Sequence, residues 1–111
     1  MRFDHMKPRK SRSQIDFGAI NQAALPYLPD LCARWLPDGR RRGHEYVARN
    51  PQRADRHPGS FSVNLNTGKW ADFAVGARGG DVVSLTAYLT GRGQAAAARQ
   101  LAAMLGVRDH D

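Results

Sequence analysis

The side chains of this sequence that are best suited to chemistry are its cations. Lysine and arginine together number 17, against 10 aspartate and glutamate residues, and the formal net charge is +7. Most of these cations are arginine, which binds phosphate through paired hydrogen bonds and stacks on bases better than lysine does. The balance predicts an acidic partner, with nucleic acid as the favoured class. The alternative is a solvated, generally arginine-rich surface without such a partner.

Candidate contacts with nucleic acid lie in the central part of the chain. The polar stretch 50–59 is predicted to be a loop, and loops of that length are uncommon in small domains unless they bind something or are disordered. Trp70 and Phe73 should lie on opposite sides of one strand, so that one of them can stack on a base. The alternative is that both aromatic rings pack in the core. The predicted contacts are Arg41, Arg42, Arg49, Arg53, Arg56, Lys69, Trp70 and Arg78.

A glycine-rich stretch precedes a predicted helix and is a possible phosphate loop. Gly76, Gly79 and Gly80 would leave backbone N–H groups accessible beside the positive end of that helix. However, Asp81 is a good N-cap, and its carboxylate would compete with an anion. The alternative is a tight strand-to-helix turn that needs glycine for its conformation.

The sequence predicts neither a metal site nor a catalytic site. Its four histidines are scattered, and Cys32 is the single cysteine, placed in a helical pattern where a small buried residue fits. The interior acidic residues (Asp38, Glu45, Asp55, Asp72 and Asp81) form no D-x-D cluster, and no G-x-S-x-G motif is present. We therefore expect no cofactor and no enzymatic activity from this chain alone.

A β-hairpin must position most of the candidate contacts. Phe61, Val63 and Leu65 alternate with polar residues, which is typical of a half-buried strand. The following stretch, 66–68, has the sequence Asn-Thr-Gly and predicts a turn. Residues 69–73 then form the returning strand.

Helices are predicted on both sides of the hairpin. The region 15–36 has helical spacing of apolar residues from Phe17 onward, with Pro26 ending its first segment and Pro29 in the first turn of the second. Two further helices are predicted at 81–89 and 94–105.

These elements predict an α+β fold, a small antiparallel sheet flanked by N-terminal and C-terminal helices. The length supports one domain, assigned to 15–107, with a short strand at 45–49. The basic stretch 1–14 is predicted to be a disordered tail, and 108–111 a short polar tail. Because no window approaches 18 apolar residues, we expect no membrane partner and a cytoplasmic location.

Two motifs resemble the N-terminal zinc-binding domain of bacterial and phage primases. Residues 58–63 read P-G-S-F-S-V, and after a hairpin residues 79–85 read G-G-D-V-V-S-L. In that family, a first pair of metal ligands lies upstream of the strand, and a second pair, both cysteines, lies at the end of the hairpin. Here Phe73 and Gly76 occupy the second pair's positions, and 51–54 contains no cysteine or histidine. The chain therefore resembles a zinc-less relative, similar to the N-terminal parts of primase–helicase proteins of phages and plasmids.

The resemblance implies a zinc-ribbon-like hairpin without zinc, stabilised by packing of Trp70 and Phe73 where the family uses a metal. It also implies a non-enzymatic accessory of replication or priming on a phage or mobile element, which binds single-stranded DNA. A primase, polymerase or helicase on another chain would be its partner. The alternatives are a module that only docks on such an enzyme and a subunit that completes a primase in trans. Binding to double-stranded DNA or RNA also stays open.

Overall fold

The computed structural model describes residues 14–49 and 60–109. The fold is α+β, as predicted, with helices before and after an antiparallel sheet. The helices are α1 (Phe17–Ala24), α2 (Leu28–Trp35), α3 (Val82–Thr90) and α4 (Gln94–Leu105), and a 3-10 turn at Leu25–Tyr27 joins the first two. The strands are β1 (Arg40–Arg42), β2 (Glu45–Ala48), β3 (Phe61–Asn64), β4 (Trp70–Asp72) and β5 (Ala77–Gly79).

The two prolines divide the first helical region as predicted. Pro26 lies in the 3-10 turn, and Pro29 lies in the first turn of α2, where its missing N–H is not needed. The buried stripe of α1 is shorter than predicted, because it begins at Ile20. Phe17 is 40% exposed and lies outside it.

The sheet is an antiparallel meander in which each strand pairs with its sequence neighbours, in the order β1-β2-β3-β4-β5. The predicted hairpin is its centre, β3 and β4. The side chain of Asn64 closes the hairpin turn, since its Oδ1 accepts from the backbone N–H groups of Asn66 (2.8 Å) and Thr67 (3.1 Å). Gly68 follows with φ of 84°, which favours glycine.

The core lies between one face of the sheet and the helices. Tyr46, Val63 and Trp70 share one cross-strand row on this face and are all buried. The ring of Tyr88 from α3 packs beside Trp70 and Phe61, with its centroid 4.7 Å from that of Trp70 and 6.0 Å from that of Phe61. Burial of such aromatic side chains contributes most to the stability of a small core.

The two chain ends of the described part meet. The backbone N–H of Asp16 donates to the carbonyl of Asp109, 3.1 Å away, so Asp109 is held beside the start of α1. The predicted tail at 1–14 falls, except for Gln14, outside the described residues, as do the last two residues of the tail at 108–111. Within the described ranges, no helix has the length and apolar character needed to cross a bilayer.

Candidate nucleic-acid interface

One row of paired residues crosses all five strands of the sheet and has an arginine at each end. Because alternate residues of a strand face the same side, the register puts Arg40, Val47, Ser62, Ala71 and Arg78 in line on the face opposite the core. The two arginines are exposed, and the three residues between them are short. Four strand spacings separate the rims, so the row spans about 19 Å.

The rows on either side bring further cations to the same face. On one side, Arg42 pairs with Glu45, and Glu45 pairs with Asn64 of the next strand. The backbone N–H of Asn64 donates to the carbonyl of Lys69 (2.7 Å), so Lys69 belongs to the same row. On the other side, Arg49 follows β2 in phase with Val47. We call the surface formed by these side chains the cationic face; its cations are Arg40, Arg42, Arg49, Lys69 and Arg78, all exposed.

Two carboxylates reduce the net positive charge of this face. Asp38 Oδ2 lies 3.0 Å from Arg49 Nε in an ion pair whose side chains are each about half exposed. Such a pair contributes about 0–1 kcal/mol, so a phosphate can compete for Arg49. Glu45 Oε1 accepts a hydrogen bond from Ser62 Oγ at 2.5 Å, which fixes the carboxylate near the middle of the face. The cations therefore outnumber the acids, and the face is positive.

The two aromatic residues of the hairpin lie on opposite sides, as predicted, with Trp70 on the core side. Trp70, predicted to contact nucleic acid, is 6% exposed. Its indole Nε1 donates to Ser84 Oγ (2.9 Å), and its ring stacks on Phe61 with the centroids 5.7 Å apart. Trp70 therefore belongs to the core and not to the interface.

Phe73 was predicted to pack with Trp70 in place of a metal, and this is wrong because the side chain is 72% exposed. Its backbone N–H donates to the carbonyl of Ser60 (2.8 Å), which extends the β3–β4 ladder by one row. The phase of that ladder puts Phe73 on the cationic face. Phe73 was not among the predicted contacts, although the odd spacing from Trp70 predicted opposite faces.

The three arginines of the edge strand β1, Arg40–Arg42, divide between its two sides. Arg40 and Arg42 lie on the cationic face, and the sequence had not singled out Arg40. Arg41 lies in the row of Tyr46, on the helix side, and its Nε donates to the carbonyl of Gly43 (3.1 Å). Arg41 is exposed, but it is not part of the cationic face. Two further predicted contacts, Arg53 and Arg56, lie outside the described residues.

The three glycines of the predicted phosphate loop do not form one loop. Gly76 lies in the β4–β5 turn with φ of 80°. Gly79 is the last residue of β5, and a Cβ atom there would overlap the indole of Trp70 and the hydroxyl of Ser84. Close packing of the indole, and not phosphate binding, explains a glycine at position 79.

The start of α3 also has little capacity left for an anion. The backbone N–H of Val83 donates to Asn21 Oδ1 of α1 (2.8 Å), and that of Ser84 donates to Asp81 Oδ1 (2.8 Å). Asp81 and Ser84 complete a capping box, as the N-cap prediction requires. The occupied N–H groups of Val83 and Ser84 therefore do not favour the phosphate-loop hypothesis for Gly76, Gly79 and Gly80, which stays a prediction.

No group of three potential ligands (histidine, cysteine, aspartate or glutamate) that could hold a metal ion occurs among the described residues. Cys32 is fully buried in α2, and its burial raises the pKa of the thiol from 9.0 to about 12. A thiol of that pKa is neither a nucleophile nor a ready metal ligand at neutral pH. Its role is packing, as its place in the helical pattern predicted.

Comparisons with known proteins give no assignment. No protein-family model matches the chain, and no curated protein matches it. The resemblance to primase zinc-binding domains therefore rests on the motifs of this sequence, chiefly residues 58–63 and 79–85, and it stays a hypothesis. What the chain binds has to be inferred from its cationic face.

Proposed function

We propose that the chain binds single-stranded DNA on its cationic face and acts as a non-enzymatic accessory of DNA replication or priming. The observation that supports this most directly is the row from Arg40 to Arg78. Two exposed arginines stand at its ends, with short side chains between them. Phosphates can contact the rims while the bases lie over the short residues between them.

The dimensions of the face favour a single strand over a duplex. The major groove of B-DNA is about 12 Å wide and admits one helix or a two-stranded ribbon. The sheet is about 19 Å across, so it cannot enter that groove. A duplex could contact the rims only through its phosphates, whereas a flexible single strand can follow the whole row.

The pathway and the partner enzyme come from the motif resemblance. A primase, polymerase or helicase on another chain would supply the catalysis, and this chain would hold template strand for it. A cytoplasmic location is part of the same proposal. Arg53 and Arg56, which lie outside the described residues, remain proposed contacts because of their residue type.

Fluorescence anisotropy with labelled oligonucleotides tests this function. A single-stranded DNA should bind more tightly than a duplex of the same sequence at low salt, because only the single strand can lie along the row. Equal or tighter binding of the duplex would contradict the proposal, and tighter binding of an RNA strand would overturn the choice of DNA. A module that only docks on a replication enzyme would leave the anisotropy of every oligonucleotide unchanged.

A further inference from the structure

We propose that the β4–β5 turn, residues 73–76, is a base-stacking site in which the ring of Phe73 receives one unpaired base. This inference rests on the proposed function and adds to it a specific contact with the base instead of the phosphate. It would make binding depend on unstacked bases, as well as on negative charge.

The exposure of the turn is the first observation that carries this inference. Phe73 is 72% exposed and Val75 is 58% exposed, although turns are usually built from polar residues and glycine. By contrast, Trp70 in the same hairpin is 6% exposed. A large ring kept in water loses the stabilisation that burial would give it, and an aromatic partner would restore that stabilisation.

The turn is held in place by hydrogen bonds, which is the second observation. Asp72 Oδ1 accepts from the backbone N–H of Ala74 (3.0 Å), and the carbonyl of Asp72 accepts from the N–H groups of Val75 (3.3 Å) and Gly76 (2.8 Å). The N–H of Phe73 is bonded to Ser60. The backbone that carries the ring is thus fixed before any ligand arrives, so little conformational entropy is lost on binding.

The charge around Phe73 selects the occupant. Arg49 lies two strands away in the same row, and Arg78 lies in the adjacent row of the same face. An exposed aromatic ring that shares a face with two arginines matches a nucleotide, whose base stacks on the ring while its phosphate contacts an arginine. Binding of an apolar protein partner would instead be unfavourable, because it would bury these charges.

A pair of probes separates stacking from charge. One is a single-stranded oligonucleotide of about twelve nucleotides, a length in the range that sheet platforms bind. The other has the same sugar–phosphate length but lacks bases at every position. Wild-type protein should bind the base-bearing strand more tightly, by about tenfold, which corresponds to the stacking of one base.

The variants then assign the preference to one ring. Phe73→Ser should bind the base-bearing strand about as weakly as the abasic strand, while its affinity for the abasic strand stays at the wild-type value. Phe73→Trp should restore the preference, and its fluorescence should be quenched by the base-bearing strand. Tyr27→Ser is the matched control, because Tyr27 is 54% exposed and lies in the 3-10 turn before α2.

Equal binding of the two strands by wild-type protein would overturn the stacking site, even if binding itself is strong and salt-dependent. An unchanged preference in Phe73→Ser would overturn it as well. Failure to bind either strand would instead overturn the proposed function together with this inference. Since Phe73 is exposed, its substitution should leave the fold intact, and a thermal melt of each variant verifies this.

Discussion

The indole of Trp70 and the hydroxyl of Ser84 join the sheet to α3 through a hydrogen bond of 2.9 Å. The same hydroxyl also belongs to the capping box of α3, because it contacts the backbone N–H and carbonyl of Asp81. One serine therefore fixes both the start of a helix and the orientation of the central aromatic ring. This contact places Trp70 in the core and leaves the other side of β4 to the cationic face.

Gly79 lies against the Trp70–Ser84 hydrogen bond, and a substitution of Gly79 should weaken that contact. Gly79→Ala should destabilise the fold by roughly 1–3 kcal/mol, because the added Cβ overlaps both the buried indole and the hydroxyl of Ser84. Gly80→Ala is the matched control, since a Cβ there meets nothing within 4 Å. Urea unfolding of both variants measures the difference, and equal stabilities would contradict the packing described for Trp70.

The stability of the fold should fall in alkaline solution. Burial raises the pKa of Cys32 from 9.0 to about 12, and burial followed by the charges of Cys32 and Asp38 raises the pKa of Tyr46 above 10.0. Both groups hold their protons more tightly in the folded state than in the unfolded state. Their contribution to the free energy of unfolding is therefore complete below the ordinary pKa of each group, and it is lost as the pH rises through the pKa of the folded state. The loss is at most about 1.4 kcal/mol per pH unit for each group.

Urea unfolding at pH values below and above 9.0 measures this loss. The variant Cys32→Ala should show a smaller decrease between pH 9.0 and about 12, because one of the two titrating groups is gone. A stability that stays constant over this range would contradict the burial of both groups.

Glu45 should weaken binding of DNA, because its carboxylate lies among the cations of the face. Glu45→Gln keeps an oxygen that can accept from Ser62, so the fold should be preserved. We expect affinity for single-stranded DNA to rise roughly two- to fivefold at low salt. Asp30→Asn, with the same charge change in the first turn of α2, is the control and should have a smaller effect. An equal effect of both substitutions would indicate that net charge alone governs binding.

The fold should be independent of metal. Since Phe73 and Gly76 occupy the positions where the resembling family has ligands, a chelator should leave the thermal midpoint unchanged. A midpoint lowered by EDTA would show that a metal ion contributes to stability.

Much of the fold follows from local features of the sequence. Pro26 and Pro29 set the break between α1 and α2, and the Asn-Thr-Gly stretch at 66–68 sets the central turn, since these residues act on their own backbone. The edge strands β1 and β5 were not predicted. Each has three residues, and neither the arginines of β1 nor the Ala-Arg-Gly of β5 shows the alternation that marks a half-buried strand.

The candidate site could be predicted only in part. Arg42, Arg49, Lys69 and Arg78 were proposed from residue type, and the register brings them to one face. The choice between Trp70 and Phe73 could not be made from the sequence, because it depends on which side of β4 α3 covers. Which ring is buried depends on tertiary packing, and residue spacing alone does not determine that packing.

The salt dependence of DNA binding tests the central proposal most directly. For single strands, the slope of log affinity against log salt is about −0.7 for each phosphate neutralised. The double variant Arg40→Ala/Arg78→Ala should therefore bind more weakly, with a slope shallower by about 1.4. The control Arg34→Ala/Arg99→Ala removes two exposed arginines from α2 and α4 and should keep the wild-type slope. Equal slopes and affinities for the two double variants would contradict binding on the cationic face.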